Sequence, residues 1–131
     1  MKIRTDFVTN SSSVSYIIFM NEEFARYRLD NWRNEGKNSE DFQVFEYIFN
    51  KIKNEGTVVC LDNREVYYLT LNFSTDEILD KETASEEFEN MTETEKIAYI
   101  NGEYILNMRL NSLIDKYKRN IGIGITQIET Y

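Results

Sequence analysis

Two groups of residues in this chain have the types that covalent chemistry draws on. Asn10 is followed by Ser11, Ser12 and Ser13, three hydroxyls in a row, and Asp62 and Glu65 flank a short polar stretch before a run of aromatic and β-branched residues. A serine nucleophile needs a base within reach to take its proton, and one or two carboxylates can hold a divalent cation against a phosphate. The sequence contains no histidine. That removes the usual general base, the usual zinc ligand and the side chain that titrates near neutrality. A small hydrolase or nuclease built on Ser11–Ser13, Asp62 and Glu65 would therefore depend on lysine, tyrosine or a further carboxylate. No glycine framework of a phosphate loop or a nucleophile elbow surrounds the serines, and no Glu-x-Lys follows Glu65. Both stretches read first as turns, because Asn, Asp and Ser side chains bond their own backbone.

Cys60, the single cysteine, lies in the apolar run TVVCL and is expected in the core as a small hydrophobe. IGIGI near the C-terminus lacks the spacing of a dinucleotide fingerprint and any helix after it. No cofactor and no metal site is expected. One cysteine forms no internal disulfide, which points to a reducing compartment. No signal peptide is expected, because Lys2 and Arg4 are not followed by a long apolar segment, and no apolar run approaches the ~20 residues of a membrane span. A cytoplasmic protein is the expectation.

The strongest asymmetry is charge. The stretch 76–95 holds Asp76, Glu77, Asp80, Glu82, Glu86, Glu87, Glu89, Glu93 and Glu95 against Lys81 alone, a net of −8. The whole chain is also −8, so the other residues carry 14 acids and 14 bases and balance. A concentrated negative field attracts cationic surfaces and repels nucleic acid, which needs a basic footprint. The short basic groupings Arg26/Arg28 and Lys116/Lys118/Arg119 read as helix faces.

The elements that must position these residues follow from periodicity and caps. Met1, Ile3 and Phe7 alternate with Lys2, Arg4 and Asp6 as a half-buried strand does. TNSSS would turn that strand back as a hairpin into VSYIIFM at 14–20, whose apolar residues on both faces after Ser15 suit a central strand. Asn21 caps a helix with an apolar side of Phe24, Ala25, Tyr27, Leu29 and Trp32, stopped by Gly36. Ser39 caps a second with Phe42, Phe45, Ile48, Phe49 and Ile52 at helical spacing, ended by Gly56. A hairpin over 57–61 and 65–73 follows, with Tyr67, Leu69, Leu71 and Phe73 as its core face. Thr92 and Glu95 form a capping box. Gly102 separates that helix from a longer one over 104–119, carrying Leu106, Leu110, Leu113 and Tyr117, and a last strand has Gly122 and Gly124 where another backbone approaches. The order β-β-α-α-β-β-α-α-β in 131 residues implies one α+β domain, a mainly antiparallel sheet packed against helices.

The opening MKIRTDFVTNSSSVSYIIF resembles the start of numerous bacterial and phage-borne proteins that begin MKIRxDFVTNSSSSSF, with Val14 in place of a serine and Tyr16 in place of phenylalanine. The resemblance implies a microbial or mobile-element origin and carries no catalytic residue with it. Taken with the charge, the expected function is a non-enzymatic module that binds the basic, nucleic-acid-binding groove of a host or defence protein, as an anti-CRISPR-like inhibitor would. The nine acids of 76–95 would make the contact, with Asn10 and Ser11–Ser13 as a second contact loop. The hydrolase, and a structural homo-oligomer subunit with an exposed patch at Trp32 or Tyr131, are the rivals.

Overall fold

The computed structural model describes residues 13–36, 39–118 and 121–130. Strand β1 (Ser13–Asn21) leads directly into helix α1 (Glu22–Asn34), then α2 (Glu40–Glu55), strands β2 (Thr57–Leu61) and β3 (Arg64–Ser74), α3 (Glu93–Tyr99), a π-helical segment (Ile100–Leu106), α4 (Arg109–Lys116) and β4 (Ile123–Thr130). The fold is α+β, with one antiparallel sheet in the order β2-β3-β1-β4. β1 is central, bonded to β3 on one edge and β4 on the other. The hairpin expected between 1–7 and β1 falls on residues 1–12, which lie outside the described residues.

The caps form where short polar side chains meet apolar periodicity. The Asn21 carboxamide accepts from Phe24 N, the Ser39 hydroxyl from Phe42 N, and Thr92 and Glu95 complete a reciprocal capping box. Gly36 follows α1 with φ +71 and Gly56 caps α2. Asp62 and Asn63, both in the left-handed region, make the two-residue turn of the β2–β3 hairpin, a conformation their side chains tolerate.

One face of the sheet carries the core. Tyr16, Ile18 and Met20 of β1 are buried and stand opposite Leu71, Leu69 and Tyr67 of β3. The apolar stripe of α2, Phe42, Phe45, Ile48, Phe49 and Ile52, is buried throughout. Trp32 lies within this core, 3% exposed, edge-on to Phe42 and Phe45, and its indole N–H donates to the Tyr117 hydroxyl. It forms no exposed patch, contrary to the expectation for an oligomer; Tyr131 lies outside the described residues.

Three further expectations are corrected. Phe24 and Tyr27 of α1 are 48% and 62% exposed, since only Ala25, Leu29 and Trp32 face inward. Cys60 is exposed, because β2 is an outer strand that the helices do not cover. The helix expected over 104–119 is divided. Gly102, read as a separator, sits inside the π segment, where a Cβ would overlap the Leu79 carbonyl oxygen. The break comes later, at Met108 in the left-handed region with φ 61. Gly122 behaves as expected: a Cβ there would overlap the backbone of Ala25 in α1.

Candidate functional site

The acidic stretch leaves the end of β3 and returns to the body of the protein through a few apolar anchors. Ile78 and Leu79 are 1% exposed, Phe88 3% and Met91 7%. Phe88, in a short 3-10 turn, meets the Tyr47 ring edge-on at 5.9 Å and lies 6.2 Å from Tyr99. Lys81 N donates to Glu103 of the π segment at 2.9 Å. The loop is therefore a packed layer over α2 and α3, and its carboxylates fall between the anchors.

The nine acids take different places. Asp80 is 2% exposed and turns its carboxylate back on its own loop, accepting from Glu82 N, Thr83 N and the Thr83 hydroxyl at 3.0 Å each. Asp76 accepts from the Ser74 hydroxyl at 2.5 Å. Glu95 closes the capping box, and Glu93 accepts from the Tyr47 hydroxyl at 3.0 Å. Burial and that bond push the Tyr47 phenol up to about 12. Glu77, Glu82, Glu86, Glu87 and Glu89 are exposed and enter no ion pair among the described residues. Elsewhere, Glu22, Asp30, Glu46, Glu55, Glu40, Asp41 and Glu103 all have cationic partners.

Glu86 and Glu87 line a groove of about 340 Å³ together with Lys81, Ser85 and Asn90 of the same stretch, Glu40 of α2 and Tyr99 of α3. Glu40 and Tyr99 also belong to a polar joint that sequence reasoning missed. Glu40 and Asp41 stand in the first turn of α2, where the helix dipole favours anions. The Tyr99 hydroxyl lies 2.9 and 3.0 Å from the two Glu40 oxygens, and that of Tyr104 lies 2.7 Å from Asp41 and 3.1 Å from Glu40. Arg109 places Nη1 2.7 Å from Glu40 Oε2 and Nε 3.1 Å from Asp41 Oδ1, with Glu103 at 3.6 Å.

The π winding makes this convergence possible. Asn107 N donates to Gly102 O, five residues back, and such bonding brings residues five apart towards one side of the helix. Tyr99 and Tyr104 are spaced so. An α-helical reading separates them, which is why the joint was not found from the sequence. Burial first, then hydrogen bonding to Glu40 and to Asp41 respectively, raises both phenols well above the ordinary tyrosine value. They stay protonated as donors and do not act as bases. The joint locks α2 to the π segment and α4, and has the chemistry of a structural clamp.

Of the serine and carboxylate candidates, Asn10, Ser11 and Ser12 lie outside the described residues. Ser13 is exposed at the start of β1, opposite Ser74. Glu65 is nine steps back along β3, roughly 30 Å away at about 3.3 Å per residue, and Asp62 lies in the turn beyond it. Ser13 is thus not brought together with Asp62 and Glu65. Among the described residues no group of three or more Cys, Asp or Glu is placed to hold a metal ion, and no helix is long and apolar enough to cross a membrane. No protein-family model, curated protein or solved structure matches this chain.

Proposed function

We propose that this protein is a protein-binding module whose 76–95 surface occupies a basic, nucleic-acid-binding groove of another protein, a host or defence protein of the kind that an anti-CRISPR-like inhibitor blocks. The observation that carries the reading is the set Glu77, Glu82, Glu86, Glu87 and Glu89, exposed and without ion pairs among the described residues. Glu22, Asp30, Glu40, Asp41, Glu46, Glu55 and Glu103 are matched by lysine or arginine. Glu23, Asp62, Glu65 and Asp115 are exposed without an ion pair among the described residues too. What sets the five apart is their crowding into 77–89, with Lys81 as the one cation of that stretch. The apolar anchors hold the loop before any partner arrives, so little ordering entropy opposes binding. Lysine or arginine side chains of the partner enter the groove between Glu86, Glu87 and Glu40, as Arg109 already engages Glu40 from within.

The test is affinity capture from the native cell with the wild-type protein and with Glu86→Lys/Glu87→Lys/Glu89→Lys, followed by mass spectrometry. The expected outcome is one or a few basic partners, lost with the triple variant and eluted by salt. Partners kept by the variant and indifferent to salt would refute the reading.

A further inference from the structure

We infer that β2 is a self-association edge, through which two copies of the chain pair antiparallel across a two-fold axis and join their four-stranded sheets into one of eight strands. β2 is an outer strand, bonded among the described residues to β3 alone. Its hairpin turn has two residues, which makes Leu61–Arg64 a hydrogen-bonded pair. Alternating back along the ladder, Val59 and Thr57 also direct their backbone groups to β3, and Val58 and Cys60 turn theirs outward. Natural edges protect such groups with lysine, proline or a bulge. Here the register runs unbroken from Thr57↔Tyr68 to Leu61↔Arg64, and TVVCL holds no charge and no proline. Val58 and Leu61 are 45% and 58% exposed, and Cys60 is exposed beside them.

The edge is complementary to itself. Pairing centred on Val59 sets Val58 of each copy opposite Cys60 of the other as hydrogen-bonded pairs, with Val59 opposite its own counterpart and Thr57 opposite Leu61. Each exposed apolar side chain of β2 gains a cross-strand neighbour on its own face, and no charge meets a like charge. A slip by two residues loses pairs and sets either Asp62 or Gly56 into the ladder. Electrostatics and area then fix the character of the dimer. Two five-residue edges bury far less than the ~1,200 Å² at the lower end of stable interfaces, and each copy carries −8. Self-association is therefore concentration-dependent and tightened by salt, which screens the mutual repulsion. Capture of a basic partner by 76–95 has the opposite salt dependence, so the two readings fail separately.

The probe is the protein itself. In a Cys60→Ser background, Val59→Cys places thiols on a non-hydrogen-bonded pair with Cα atoms about 4.5 Å apart, within disulfide range. Under mild oxidation, Val59→Cys is expected to form covalent dimer at least about tenfold faster than Ser112→Cys, because pairing holds its thiols in reach. The rate rises as NaCl goes from about 0.01 M to about 1 M and the Debye length falls from about 30 to 3 Å. Sedimentation of the wild-type protein at millimolar concentration should show dimer, abolished by Val58→Lys. Cross-linking no faster than the Ser112→Cys control, or a monomer at every concentration and salt, overturns the inference.

Discussion

At Glu22, two cations decide a titration. Hydrogen bonds from Lys53 and Arg26 lower its carboxyl from the ordinary 4.5 to about 2. A folded-state value below the unfolded one contributes stability above the unfolded pKa, and that contribution is lost as pH falls from about 4.5 towards 2. Because the pair is near the surface, the contribution is on the order of 1 kcal/mol. Glu22→Gln should therefore be less stable than wild type by that amount at pH 7, with the two denaturation curves converging near pH 2. The joint at α2 is the other decisive place at this scale. Arg109→Ala leaves Glu40, Asp41 and Glu103 half-buried without their cation and should cost about 2–3 kcal/mol. Tyr104→Phe, which removes one donor to a carboxylate, should cost about 1–2 kcal/mol. Both residues touch Glu40 and Asp41, so urea denaturation of the double variant should reveal coupling. None of Glu40, Asp41, Tyr104 and Arg109 was singled out in the sequence, because nothing in it pairs Glu40 and Asp41 with residues some sixty positions away.

At the scale of elements, the sequence was most legible where a side chain acts on its own backbone. The caps at Asn21, Ser39 and Thr92 and the stripe of α2 depend on neighbours within a few residues and stand where they were expected, and the turn expected over Asp62–Asn63–Arg64 forms with Arg64 already in β3. What tertiary packing decides was read less well. Phe24 looked like core and is open, and Cys60 looked buried and lies on an edge; the run at 14–20, apolar on both faces, stands as the central strand it suited. Gly102 is the sharpest case. An isolated helix gains about 1 kcal/mol when Ala replaces Gly, yet a Cβ here would overlap the Leu79 carbonyl, which belongs to the backbone and has little room to move. Gly102→Ala should therefore destabilise the protein by more than about 2 kcal/mol, read as a drop in thermal midpoint, with the helical circular dichroism retained below it.

The whole molecule is a balanced body with one uncompensated layer. Sequence arithmetic placed all of the net charge in 76–95, but it could not tell which acids are turned to local work. Asp80, Asp76, Glu93 and Glu95 accept hydrogen bonds from within the chain, and Glu77, Glu82, Glu86, Glu87 and Glu89 stand exposed with no ion pair among the described residues. If these five stand in for phosphate, they compete with nucleic acid for cations. The direct measurement is displacement of a fluorescent duplex DNA from a lysine- and arginine-rich peptide by this protein, repeated between about 50 and 200 mM salt, where phosphate-like contacts weaken steeply. The account predicts full displacement by the wild-type protein, at least about tenfold weaker at the higher salt and lost in Glu86→Lys/Glu87→Lys/Glu89→Lys. Displacement that is equal for wild type and variant, or flat with salt, would contradict it.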